Sequence, residues 1–295
     1  MHEGQWDIGV EEVERLVVRQ FPSWRGLSVT PVVSHGTVNA LFRLGDHIVL
    51  RFGLFPSGDP AWREELLAAQ ETVARLAARV AVQLPVPLAV GEPGDGFPGF
   101  WAVYEWIPGE TPESRITDLD IFAIDLAAFT RTLHHMPTDG RTWDGLTRGG
   151  PLVDRDAQVR ECIFDSAALV DARRVEAVWD ECLAAPQVGQ GDVWIHADLM
   201  PGNLLVRDGR LVAVIDCEGL CVGDLSVDLM PAWNLLPAGP RDTFRRELAV
   251  DEAAWTRGRG WALCQAIVAL SYYVETNKVM AETALHTLAA LLEEG

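Results

Sequence analysis

The chain has 295 residues, 48% of them apolar and 23% charged, which is room for two modest lobes or one large domain with an ample core. Its formal charge of −19 argues against nucleic acid or an anionic membrane surface as a partner, because both would be repelled, and is compatible with a cationic substrate. Met1-His2-Glu3-Gly4 carries neither a basic region nor an apolar run, and no stretch reaches the roughly 18 uninterrupted apolar residues of a membrane span.

Along the chain, Val10, Val13, Leu16 and Val17 recur at helical spacing and predict a first helix ending near Phe21-Pro22. Val29–Val33, Ala40–Leu44 and Ile48–Phe52 read as three strands, with a turn at Gly45-Asp46. A helix is expected from about Ala61 to Ala78, then strands near Leu88–Gly91 and Trp101–Trp106, closed by Pro108-Gly109. Helical periodicity then dominates, over about Asp118–His135, Arg155–Ala185 and Ala253–Leu292. The exceptions are strand-like: Val193–Ile195, Asn203–Val206 and Leu211–Ile215, the last two joined by an Asp208-Gly209 hairpin turn. The expected fold class is α+β. Residues 1–107 make a small antiparallel-sheet lobe with one helix, and residues 108–295 make a larger, mainly helical lobe. There are no internal repeats, low-complexity tracts or linkers. Five scattered cysteines (162, 182, 217, 221, 264) read as buried reduced thiols of a cytoplasmic protein rather than a disulfide framework.

The chemistry concentrates in His196-Ala197-Asp198-Leu199-Met200-Pro201-Gly202-Asn203 and in Asp216, thirteen residues beyond. H-x-D-x-x-x-x-N is the catalytic-loop pattern of protein kinases. Asp198 is the candidate general base, accepting the proton of a substrate hydroxyl as its oxygen bonds to phosphorus. Asn203 and Asp216 supply the oxygen ligands that magnesium prefers. His196 is expected to orient the loop. In Gly223–Asp228, Asp224 and Asp228 stand four apart, on one face if a helix starts there; Asp224 is expected to cap that helix and brace the catalytic loop, and Asp228 to do likewise or to line the acceptor pocket, with the structural role favoured for both. Arg51, on the third strand, suits the α- and β-phosphates because its charge is permanent and it grips two oxygens at once. The Ser34–Asn39 loop lacks a full G-x-G-x-x-G, but backbone N–H groups beginning at Ser34 can still meet a phosphate.

These residues resemble the aminoglycoside phosphotransferase family, a kinase-like family related to choline kinases and macrolide phosphotransferases. His196–Val206 matches its catalytic loop, Val214–Asp228 its metal-binding strand, and Val49-Leu50-Arg51 the nucleotide-lobe strand. Gln83–Pro87 and Val103–Gly109 match its Pro-rich entry and hinge. The resemblance implies a protein-kinase-like two-lobe fold with ATP or GTP as donor and Mg2+, two ions by analogy with kinases. The γ-phosphoryl group would pass to a hydroxyl of an aminoglycoside or related antibiotic. It also implies that backbone groups around Tyr104 to Trp106 hold the purine. The residues alone leave Glu64, Glu65 and Glu71 open as partners of Arg51; by the resemblance the family's helix glutamate falls on Ala69, which would move its ion pair one turn to Glu65. No stretch corresponds to a protein-kinase activation segment, which favours a small acceptor over a protein, and the net charge is compatible with a cationic one. Asp228, Glu218, Glu275, Tyr272 and Trp261 are the expected pocket liners. The competing readings are a non-catalytic kinase-like nucleotide-binding protein and a kinase of a non-antibiotic amino-alcohol metabolite; oligomeric state is left open.

Overall fold

The apolar repeat near the amino terminus folds as α1 (Val10–Gln20), which buries Val13, Leu16 and Val17. In this computed structural model the described residues are 5–33, 38–112, 118–187 and 191–293, so Ser34 and the residues 35–37 beside it lie outside them. The chain divides into two compact units. The first comprises Met1–Arg79, Gln83–Pro108 and Val214–Glu218; the second comprises Val80–Val82, Gly109–Ala213 and Gly219–Gly295.

The first unit holds an antiparallel sheet of β1 (Val29–Pro31), β2 (Asn39–Leu44), β3 (Ile48–Gly53), β4 (Pro87–Gly91) and β5 (Trp101–Glu105), in the order β1-β2-β3-β5-β4. Alternation along β3 buries Ile48, Leu50 and Phe52 with α1 on one side, which turns Arg51 to the other. Phe52 stacks on Trp101 at 4.8 Å and meets Phe97 edge-on at 5.0 Å. Burying each such ring contributes about 2 kcal/mol relative to exposure. Asp59 caps α2 (Pro60–Ala77), accepting from the Ala61 N–H with Pro60 in the first turn. The helix turns Leu66, Gln70, Thr72, Val73 and Leu76 inward.

The second unit is mainly helical. It comprises α3 (Leu119–His134), α4 (Asp156–Asp165), α5 (Ala172–Leu183), α6 (Pro231–Asn234), α7 (Ala238–Leu248), α8 (Glu252–Tyr273) and α9 (Lys278–Glu293). Two short sheets join them. β6 (Val193–Ile195) pairs with β9 (Cys221–Gly223), and β7 (Leu204–Arg207) pairs with β8 (Arg210–Val214). Asp208 and Gly209, with φ of 52° and 78°, make the turn between β7 and β8. α8 packs against α4, α5 and α9 and buries residues on all sides. Gly258 and Gly260 let two 3-10 turns approach α8: a Cβ at either would come within 2.7 Å of Leu229 or Leu152.

Two expected long helices are each broken. Between Arg155 and Ala185 the chain turns at Ser166–Val170, and Asp171 caps a new helix by accepting from the Arg174 N–H. Between Ala253 and Leu292 the break falls at Val274–Asn277. α6, α7 and β9 were not legible as elements. Prolines 231, 237 and 240 punctuate the first two, and β9 is three residues long. Asn203 ends a 3-10 turn (Pro201–Asn203) instead of opening the strand. No helix among the described residues is long and apolar enough to cross a membrane.

Candidate active site

β6 delivers the chain into the loop of His196, Ala197 and Asp198. Ala197 is left-handed there (φ 63°), a conformation that non-glycine residues adopt only under local constraint. The constraint is Asp228. Fully buried, it accepts from the backbone N–H of His196 at 3.0 and 3.1 Å and of Ala197 at 2.8 Å, while His134 Nε2 stands 3.1 Å from its second oxygen. Of the two roles open to Asp228, bracing the loop and lining the acceptor pocket, the geometry gives it the first. Asp224 does cap the following turn, accepting from Ser226 N–H, but its carboxylate pairs with Arg257 at 2.7 Å and does not hold the loop. The turn is 3-10, with about three residues per turn, so side chains four apart point in different directions. His196 is buried, consistent with an orienting role.

The carboxylate of Asp198 is held by three side chains. Oδ1 accepts from Arg148 Nη1 at 2.6 Å and Gln265 Nε2 at 2.9 Å, and Oδ2 accepts from Asn203 Nδ2 at 3.0 Å. Asn203 Nδ2 also donates to the Asp198 carbonyl at 2.8 Å, so its amide nitrogen faces the loop. The amide oxygen is then the atom left for a hard cation, in the orientation the hydrogen bonds assign. Arg148 and Gln265 were missed in the sequence. Each is a lone residue without a motif, 50 and 67 positions from Asp198.

In the first unit a second cluster forms around Arg51. Its Nη2 lies 2.5 Å from Asp216 Oδ1 and 3.4 Å from Glu218 Oε2. Burial opposes the guanidinium's charge, but Glu218 and Asp216 outweigh it and hold Arg51 firmly protonated. Asp216 is the second non-glycine residue of the site in the left-handed region, at φ 62°. Tyr104 is buried beside them. Burial first, then Glu218, pushes its hydroxyl well above the usual phenol range, with Gln70 and Arg51 acting the other way. Glu218 thus belongs to the Arg51 cluster rather than to an acceptor pocket. Glu65 does not take the Arg51 pair expected of it: it is exposed on α2, about 100° around from Leu66. The buried polar residue of that helix face is Gln70, whose Nε2 donates to the Ala89 carbonyl at 3.4 Å.

The hinge is partly committed within the protein. Glu105 N–H donates to the Val86 carbonyl and Trp106 N–H to that of His47, while the Arg43 guanidinium lies 5.1 Å from the half-buried Trp106 ring. Glu275 is exposed between α8 and α9, Tyr272 is 55% exposed, and Trp261 is buried in α8. The five cysteines are free thiols.

The sequence profile described as the phosphotransferase enzyme family matches residues 29–261. The chain belongs to this family. An aminoglycoside 3'-phosphotransferase of Salmonella typhimurium is 28% identical over 147 residues, 46% of this chain and 52% of that protein. Its Escherichia coli counterpart is 27% identical over the same share. The chain thus spans about half the length of the curated relatives it matches. Among solved structures, the GDP complex of an aminoglycoside 2'-phosphotransferase-IIIa mutant superposes with a TM-score of 0.72 at 16% identity, covering 97% of this chain and 98% of that one. A macrolide 2'-phosphotransferase from Brachybacterium faecium gives 0.58 at 18%, covering 95% and 97%. The fold of the family member described here is accordingly the kinase-like α+β fold of these phosphotransferases.

Proposed function

We propose that this family member transfers the γ-phosphoryl group of a nucleoside triphosphate to a hydroxyl of a small molecule, with magnesium required. The observation that carries the reading is the carboxylate of Asp198, held by Arg148, Gln265 and Asn203 on a loop whose backbone Asp228 fixes. A carboxylate oriented by three donors keeps an acceptor direction on Oδ2 for a substrate O–H, and orientation is the main thing phosphoryl transfer asks of a protein. As the acceptor oxygen bonds to the γ-phosphorus, the bond from phosphorus to the β–γ bridging oxygen breaks, the nucleoside diphosphate leaves, and the hydroxyl proton passes to Asp198.

The Asn203 amide oxygen in the second unit and the Asp216 carboxylate in the first are each an oxygen donor of the kind Mg2+ prefers. When bound, the metal would neutralise phosphate charge on the donor. Arg51, kept charged by Glu218 and Asp216, would bind the α- and β-phosphates. We assign nucleotide binding to the first unit, with the purine against the hinge at Tyr104–Trp106, and acceptor binding to the second. Relatives crystallised with GDP, ADP and ATP support the nucleotide donor, and those with kanamycin, gentamicin or streptomycin support a small-molecule acceptor. The test is nucleotide consumption with ATP or GTP against a panel of hydroxyl compounds, with and without magnesium. Acceptor- and magnesium-dependent consumption is expected. Nucleotide bound tightly but never consumed would instead make the protein a nucleotide-binding relative without catalysis.

A further inference from the structure

The acceptor side of the second unit differs from the acidic pocket expected from the sequence. Asp228 is sealed behind the loop it braces, Glu275 is exposed in a turn, and Glu218 is engaged on Arg51 in the first unit. The charged side chain beside Asp198 is instead a cation. Arg148 stands 2.6 Å from Oδ1, also donates to the Ala197 carbonyl at 2.9 Å, and is 42% exposed. Its loop is built to hold it there. One oxygen of Asp144 accepts from the N–H groups of Leu146 and Thr147 and from the Thr147 hydroxyl. Asp192 accepts from Trp143 N–H, and the Gly149 carbonyl accepts from Asp224 N–H. Gly149 adopts φ 104°, and a Cβ there would come 2.7 Å from Ile195 Cδ1.

The other donor to Oδ1, Gln265, borders a crevice of about 10 Å3, the room of one water molecule. Met200, Met230 and Met280 line it with Ala262, Ala266 and Ala269, and its lining includes no carboxylate among the described residues. Asn234 in its lining donates through Nδ2 to the Leu199 carbonyl at 3.1 Å, and its Oδ1 is a buried neutral acceptor without a hydrogen-bond partner among the described residues. Methionine is unbranched and rotates readily, so a Met-rich wall can widen to admit a methyl-bearing edge.

We propose, resting on the phosphotransferase reading above, that the acceptor is a hydroxyl compound of low positive charge that lays an apolar flank against the Met/Ala crevice beside Asp198. Arg148 and the crevice reinforce each other: the paired guanidinium cancels the Asp198 charge that would draw an ammonium group to the reacting hydroxyl, and the crevice offers such groups no counter-charge. The net charge of −19 would draw cations to the surface at long range, but selection occurs at contact.

The test is calorimetric titration of the whole protein, loaded with magnesium and a non-hydrolysable nucleotide, using a macrolide aglycone (a large apolar ring bearing hydroxyls and no amine) and kanamycin (a polyamine sugar) as probes. The macrolide should bind at least about 10-fold more tightly, with a negative heat-capacity change. Ala269→Asp, at a half-buried position of the crevice, should weaken the macrolide by about 10-fold and leave kanamycin unweakened. Ala269→Asn, of similar size without the charge, should fall between, and melting temperatures of both variants separate binding loss from unfolding. Equal or tighter binding of kanamycin, binding of neither probe, or indifference to Ala269→Asp overturns the inference. A protein that fails to bind the nucleotide in the first step contradicts the phosphotransferase reading instead.

Discussion

The two clusters of polar side chains solve the same problem, holding charge in place, by different means. Around Asp198 each carboxylate oxygen has a side-chain donor, and the backbone beneath is pinned to the fully buried Asp228. Around Arg51 the charges balance but the hydrogen bonds do not: the Tyr104 hydroxyl meets Glu218 and Gln70, whereas Arg51 Nε is buried with no well-aligned hydrogen-bond partner among the described residues. Buried polar groups without partners cost free energy and persist where something else uses them. The first cluster thus fixes the direction of its carboxylate, as positioning an alcohol requires. The second retains hydrogen-bonding capacity, as a site that grips a ligand requires.

This contrast can be broken from either side. The largest effect is expected at Asp228. Its replacement by Ala leaves the N–H groups of His196 and Ala197 unsatisfied in a buried setting, which costs about 2–4 kcal/mol of stability. Turnover should fall about 100-fold through misplacement of Asp198. Denaturant unfolding and steady-state kinetics check both, and a variant of normal stability and rate would remove Asp228 as the brace. Next is Glu218→Gln, which takes one charge from Arg51. The KM for nucleotide should rise about 10-fold, the worth of a charged contact of ~1.4 kcal/mol, with kcat changed less. Glu65→Gln is the matched control and should stay within about 2-fold, as surface changes do. The reverse ranking would restore the helix glutamate as the partner of Arg51.

The smallest effect concerns pH. Burial pushes the thiols of Cys221 and Cys264 up to about 11 and that of Cys182 to about 12. The folded chain therefore keeps these protons to higher pH than the unfolded one. Their contribution is intact below the ordinary thiol pKa and drains away as pH rises through about 9 to 11, with the raised Tyr104 hydroxyl adding in the same direction. A melting temperature that declines over that window is expected; one that rises contradicts the sign.

Much of the fold was legible because its signals are local. Alternation in Ile48–Phe52 and the Asp208-Gly209 turn each declare themselves within a few residues. The loop from His196 to Asn203 did so through its spacing. The misreadings share a cause. Asp224 and Asp228 looked equivalent four residues apart, and only the 3-10 geometry of their turn sends one to Arg257 and the other to the loop. Glu65 follows from shifting the family's helix glutamate by one turn, whereas the helix buries Gln70 and the charge on Arg51 is met by Glu218, more than 160 positions away. Arg148 and Gln265 reach Asp198 from a loop and a helix that carry no motif. Contacts made across such distances leave no periodic trace.

The most direct measurement is Asp198→Asn, with nucleotide affinity read by calorimetry and phosphoryl transfer by single turnover. The account predicts affinity within about 2-fold of the parent and transfer slowed about 1,000-fold, because the amide keeps the shape but cannot take the proton. Transfer at close to the parent rate would show that the carboxylate of Asp198 is not the group that receives the acceptor's proton.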